Sequence, residues 1–123
     1  MHKVMIKNVV LKWDNTRKEG VYGGYSIQIE FNGDRYEELF QLGRAKLHNG
    51  KWVMNLRSQK PIKVLDCELE ELTNEIIIGN GSIGNIMLAV PDEPIYFKGQ
   101  EIRKGIPMII QVVEYTDYFT GDF

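Results

Sequence analysis

The sequence predicts an all-β domain with one short helix, folded as a small antiparallel barrel of five to six strands. Three observations predict it. Apolar residues recur at alternate positions in several short segments, which is the period of a half-buried strand. Turn signals such as Asn32-Gly33 and Ser58-Gln59-Lys60-Pro61 separate those segments. One segment alone has helical spacing, so helices do not alternate with strands as a parallel α/β sheet requires.

Residues 4–13 are β-rich, with Lys3, Lys7 and Lys12 interspersed, and residues 14–20 (DNTRKEG) are a polar loop. Tyr25–Phe31 alternates strictly: Tyr25, Ile27, Ile29 and Phe31 face a core, and Ser26, Gln28 and Glu30 face out. Asn32-Gly33 ends that strand. Asp34 is then placed to cap a helix, with Glu37 three residues on as its capping-box partner. Tyr36, Leu39, Phe40 and Leu47 supply the apolar side of this helix, and Asn49-Gly50 stops it. Residues 51–57 alternate again, with Trp52, Met54 and Leu56 on one face and Lys51, Val53, Asn55 and Arg57 on the other. A turn leads to a strand over residues 62–67. Residues 68–75 (ELEELTNE) are an acidic solvated run with room for one helical turn. Residues 83–90 and 107–115 are the last two strands, and residues 96–105 between them are a basic loop with aromatics. A barrel of the oligonucleotide-binding type has this size, and its closure leaves no exposed sheet edge. Residues 1–115 are expected to form it, and residues 116–123 a short acidic and aromatic C-terminal tail.

Residues 76–85 (IIIGNGSIGN) carry the spacing G-x-G-x-x-G. In a dinucleotide site these glycines open a helix whose N–H groups hold a pyrophosphate. Here a short apolar run follows, stopped by Pro91, which reads as a strand. Gly79, Gly81 and Gly84 are therefore expected to serve a sharp turn and a tight corner of the sheet.

Other enzyme signatures are missing. Ser82 lies in G-N-G-S, which is not a nucleophile elbow, and Glu70 and Glu71 are neighbours in a charged run. The single cysteine, Cys67, leaves no internal disulfide or cysteine zinc site, and it reads as a small core residue. His2 and His48 are the only histidines, which disfavours a zinc site. No catalytic residue, metal or cofactor is expected. The start of the chain, with Lys3 and Lys7 and no long apolar stretch, does not read as a signal peptide. No apolar run approaches the ~20 residues that cross a bilayer, so a soluble protein of a reducing compartment, with no membrane partner, is expected.

Charge is unevenly placed. Residues 1–60 hold 11 Lys and Arg against 6 Asp and Glu, a balance of +5. Residues 61–123 hold 4 against 11, a balance of −7. A basic surface interleaved with aromatics suits single-stranded nucleic acid, which needs cations for its backbone and planar groups for its bases. Lys12, Trp13, Arg17, Lys18, Tyr22, Lys51, Asn55, Arg57, Tyr96, Lys98, Arg103 and Lys104 supply both types, with Tyr96 as the stacking candidate. Trp13, Trp52 and Tyr25 have core packing as their ordinary reading, preferred for Trp52 and Tyr25 because they share faces with aliphatics. The plain alternative for the lysines and arginines is a solvated surface. The tail residues Asp117, Tyr118, Phe119, Asp122 and Phe123 suit docking on a basic, hydrophobic partner pocket, or competition with phosphate for the chain's own groove; a frayed end is the plain alternative.

Three stretches carry a family resemblance. Residues 77–82 (IIGNGS), residues 105–115 (GIPMIIQVVEY) and residues 120–123 (TGDF) resemble, in this order, the glycine turn, the closing strand and the tail end of the phage single-stranded-DNA-binding proteins of the short-tailed-phage replication type. The resemblance implies an oligonucleotide-binding fold and sequence-independent, non-enzymatic binding of single-stranded DNA, protecting and organising it in phage replication and recombination in the host cell cytoplasm. It also implies a tail that contacts the phage DNA polymerase and helicase-primase and supports a homodimer. The tail here is shorter and less acidic than the family's, and of the third-strand positions near Asn55 and Arg57 only Arg57 is charged. The competing expectation is a small β-barrel acting as a structural or protein-interaction module without nucleic-acid binding; a nucleotide-dependent enzyme ranks behind both.

Overall fold

The longest element runs through the middle of the sheet and is bent by a bulge. A computed structural model describes residues 2–20, 23–73, 76–93, 95–102 and 104–115. In it, β1 (His2–Asn15) pairs antiparallel with β2 (Tyr25–Phe31) on one side and with β6 (Ser82–Val90) on the other. Its register with β6 shifts between Ile6 and Val9. There Asn8 takes a left-handed φ of 57° and donates its N–H to Asn85 Oδ1 at 3.0 Å. Arg35 caps the bulge from outside, donating to the carbonyls of Lys7 (2.6 Å) and Asn8 (3.1 Å). The extra residue shifts the alternation, so Ile6, Val9 and Leu11 all point into the core.

The helix is shorter than expected. A single α turn, α1 (Tyr36–Leu39), lies between 3-10 turns at Gly33–Arg35 and Phe40–Leu42, and no side chain caps its start. The chain then turns extended into β3 (Ala45–His48), which pairs with β4 (Lys51–Ser58). Asn49-Gly50, expected to stop a helix, instead has φ of 51° and 79° and makes the two-residue hairpin turn that Asn-Gly favours. Leu47 is accordingly exposed at 62% and not part of an apolar helix face. β2 and β4 keep the faces their alternation predicts, with Ile27, Ile29, Phe31, Met54 and Leu56 buried. Trp52 is half-buried, its ring 4.5 Å from that of Tyr36.

Beyond β4, β5 (Lys63–Leu65) pairs parallel with β9 (Ile106–Glu114), and β9 pairs antiparallel with β6. The order across the sheet is β3, β4, β2, β1, β6, β9, β5. A separate hairpin joins β7 (Ile95–Phe97) to β8 (Gln100–Ile102), so the expected loop between the last two long strands is itself a ribbon. In a flat sheet β4 and β5 would stand about 24 Å apart. The connector 59–62 reaches about 18 Å at most, so the sheet curls, and β4 comes back against β9. The expected closed antiparallel barrel of five to six strands is corrected here: the sheet has seven strands, it is mixed, and its ladder stays open. The reason lies at Ser58-Gln59-Lys60-Pro61. This turn splits what would be one closing strand into β4, which bonds β2, and β5, which bonds β9. Past the turn, Ile62 gives its N–H to the Thr16 carbonyl in the first loop, at 2.8 Å.

Residues 68–73 form no helical turn. Asp66 accepts the N–H groups of Glu68 (2.9 Å) and Glu70 (3.0 Å) and holds this part of the acidic run as a loop. Cys67, expected in the core, is exposed beside it. The expected tail, residues 116–123, lies outside the described residues. Among those described, no helix is long and apolar enough to cross a membrane.

The glycine turn leads directly into β6, with no helix behind it. Gly81 has a φ of 99°, and its N–H reaches the Leu11 carbonyl at 3.0 Å. At Gly84, where the β6–β9 register shifts, a Cβ would lie 2.6 Å from the Gln111 carbonyl oxygen and 2.7 Å from Leu11 Cδ1. Both glycines thus serve the sheet. Gly84→Ala is expected to lower stability by about 1–3 kcal/mol through overpacking against backbone. Gly81→Val is expected to be costly for its left-handed φ. Urea denaturation reads both, and an unchanged midpoint for Gly84→Ala would contradict the close approach.

Candidate nucleic-acid interface

One groove, of about 850 Å³, opens where three connections meet: the loop between β1 and β2, the β4–β5 turn, and the start of β9. Its cations come from three places in the chain. Arg57 projects from the outward face of β4, Lys60 from the turn that splits the strand, and Lys104 from the segment entering β9. The β2–β4 register sets Ser26 opposite Arg57 and Tyr25 opposite Ser58, so these residues also line the groove. Gly20, Gly23 and Gly24, which carry no side chains, line the facing wall. The N–H of Gly105 donates to the Leu42 carbonyl at 2.8 Å and anchors the Lys104 segment to the core.

Among the described residues, none that lines the groove is acidic, and Arg57, Lys60 and Lys104 form no ion pair. Three uncompensated cations around a concave site raise the local positive potential and favour a polyanion. Tyr25, half-buried and packed on the core, adds a ring at the groove wall. Among the described residues, no group of three or more His, Cys, Asp or Glu is placed to hold a metal ion.

The structure sorts the residues chosen from sequence. Arg57 and Lys104 share the groove although 47 residues separate them. Asn55 lies on the same outward face and accepts a hydrogen bond from Gln28 Nε2 at 3.2 Å. Lys12 stands across that row, opposite Gln28, but its Nζ is 2.7 Å from Glu30 Oε2, so its charge is compensated. Lys18 is exposed in the loop that walls the groove. Lys51 is six residues along β4 from Arg57, about 20 Å away, and donates to Asn32 Oδ1 at 2.9 Å. Tyr96, 72% exposed, and Lys98, at the hairpin turn, belong to the β7–β8 ribbon. Tyr22, Arg103 and the tail residues Asp117, Tyr118, Phe119, Asp122 and Phe123 lie outside the described residues.

Arg17 is a correction. Its side chain is only 9% exposed and points inward. It donates to the carbonyls of Thr73 (2.6 Å), Leu72 (3.3 Å) and Ile76, and to Asp14 Oδ2 (3.3 Å). Asp14, 3% exposed, also accepts the N–H groups of Thr16 (2.9 Å) and Ile78 (2.8 Å). The pair fastens Leu72, Thr73, Ile76 and Ile78 to the end of β1, so this arginine is structural. Sequence reasoning missed Lys60 and Tyr25. Lys60 carried a signal, three residues past Arg57 in a turn. Tyr25 did not, because its alternation with Ile27 and Ile29 marks it as core.

No family model and no curated protein matches the sequence. Solved structures do match. The single-stranded DNA-binding protein from bacteriophage Enc34 superposes with a TM-score of 0.67 at 17% identity, over 98% of this chain and 86% of that one. The chain shares the fold of phage single-stranded-DNA-binding proteins. The Enc34 protein in complex with ssDNA matches with a TM-score of 0.63 at 16% identity, covering 95% and 89% of the two chains. Gp2.5, a single-stranded DNA-binding protein encoded by bacteriophage T7, matches with 0.63 at 11% identity, over 100% of this chain and 97% of its own.

Because Arg17 is a staple, Arg17→Ala is expected to lower stability by about 3 kcal/mol, leaving Asp14 buried without its counter-charge. Thermal denaturation measures this destabilisation. A variant as stable as the parent would return Arg17 to the surface reading.

Proposed function

We propose that this chain is a non-enzymatic protein that binds single-stranded DNA irrespective of sequence, protecting and organising it during phage DNA replication and recombination in the host cell cytoplasm. One observation carries the reading: Arg57, Lys60 and Lys104 converge on one groove with no acid among its described lining residues. The fold shared with phage proteins named for single-stranded DNA, one of them in complex with it, supports the same reading. Cations at spaced positions neutralise successive phosphates, and rings beside them take unpaired bases. Tyr25 in the groove and Tyr96 on the neighbouring ribbon are the rings proposed for this part of the track, and Lys18, Asn55 and Lys98 extend its polar surface.

Titrating the protein with oligo(dT) at two salt concentrations and following its fluorescence tests this. Arg57→Ala and Lys104→Ala are each expected to weaken binding without unfolding the domain, and to reduce the salt slope by about 0.7 for each phosphate no longer neutralised. Unchanged affinity in both would remove the groove from the site.

The tail is proposed as the contact for the phage DNA polymerase and helicase-primase, with Phe123 as apolar anchor and Asp117 and Asp122 as its only side-chain acids. A second copy of the chain is the other proposed partner. Exposed Met5, Ile106 and Met108 on the outward face of β1 and β9 are apolar surface of the kind self-association covers. Deleting residues 118–123 is expected to raise DNA affinity slightly at low salt and little at high salt, since the one side-chain acid it removes, Asp122, competes weakly with phosphate. Pull-down of the cognate polymerase and sedimentation read the partner contacts, and indifference of both to the deletion would remove the tail from this role.

A further inference from the structure

Trp13 has an exposure and a backbone that the fold does not explain. The residue is 57% exposed near the end of β1, whereas the other tryptophan, Trp52, packs against Tyr36. Its φ of 54° is left-handed, a conformation that disfavours a bulky residue and that persists where the surroundings enforce it. The enforcing contact comes from the glycine turn. Asn80 Oδ1 accepts the Trp13 N–H at 2.9 Å, while Gly81 donates to the Leu11 carbonyl two residues earlier. The turn therefore grips β1 on both sides of Lys12 and holds the indole outward at the bulge between Lys12 and Asn15. Asn15 lines the groove, so Trp13 stands at most about 7 Å further along the chain from its wall.

We infer that Trp13 is a stacking platform for an unpaired base of single-stranded DNA leaving the groove, and that Asn80 is the positioning residue that presents it. The inference rests on the single-stranded-DNA reading above. An exposed planar ring on a rigid strand end, next to an uncompensated cationic groove, matches the chemistry of a nucleobase attached to a phosphate backbone. The Asn-bearing glycine turn then has a second use besides shaping the sheet.

The test uses a labelled oligo(dT) of about 20 nucleotides, longer than a single-domain site, and fluorescence anisotropy at low salt. Trp13→Ala is expected to bind about 5- to 140-fold more weakly than the parent, the equivalent of ~1–3 kcal/mol for one stacked base. Asn80→Ala is expected to weaken binding as well, and to add nothing in the Trp13→Ala background, because it acts through that ring. A separate readout does not depend on the alanine variants folding: in Trp52→Phe, Trp13 is the sole indole, and its emission is expected to be quenched by saturating oligo(dT). If the parent binds oligo(dT) but Trp13→Ala binds it equally well, or the Trp13 emission does not respond, the platform is overturned and the DNA reading stands. A parent that does not bind oligo(dT) at all overturns the DNA reading, and the platform with it.

Discussion

A buried carboxylate decides where β1 stops, and the groove depends on it. Asp14 is almost fully enclosed, and burying a charge is costly unless it is paired and fully hydrogen-bonded. Here the compensation comes from Arg17 and from the N–H groups of Thr16 and Ile78. Those partners belong to two segments more than 60 residues apart, so satisfying one carboxylate brings them together. Arg17 extends the tie to the carbonyls of Leu72, Thr73 and Ile76, and Tyr115 donates to Ile77 from the other side at 2.6 Å. The Thr16 carbonyl then takes the N–H of Ile62, which places the turn carrying Lys60. Two walls of the groove, the first loop and the β4–β5 turn, thus descend from the same buried hub.

The curl of the sheet does the rest. A short connector between strands near opposite edges of the order leaves no flat solution, and bending brings the outward end of β4 beside the start of β9. Arg57 and Lys104 meet because of that bend. Each cation alone would be an ordinary solvated side chain of small energetic weight. Gathered in one concavity with no acid among its described lining residues, they produce a field that none has singly. The lysines with partners illustrate the contrast: Lys12 spends its charge on Glu30 and Lys51 donates to Asn32, and neither lines the groove.

The glycine turn shows one motif meeting several demands. Its spacing copies a dinucleotide fingerprint, but a strand follows it, so there is no helix terminus to receive a pyrophosphate. The glycines instead serve a left-handed turn and a close strand crossing, and the asparagine between them reaches back to β1.

The sequence by itself determined most of the long strands and the faces of two of them. Alternation in Tyr25–Phe31 and in the segment that became β4 records which side each of these strands buries, and that information is local. It also determined that the G-x-G-x-x-G stretch serves a turn, because the absence of a following helix is visible in the residues themselves. Only the tertiary structure decided what each segment pairs with. Ala45–His48 reads as a helix end until β4 offers it a ladder across Asn49-Gly50. Arg17 reads as a surface cation until Asp14 and three distant carbonyls enclose it, and Tyr25 reads as core until the groove opens beside its half-buried ring. The split of the closing strand, which keeps the sheet open, follows from a turn whose ends find different partners. The physical reason is the same each time: periodicity is written within a segment, whereas hydrogen-bond partners and counter-charges are supplied by residues tens of positions away.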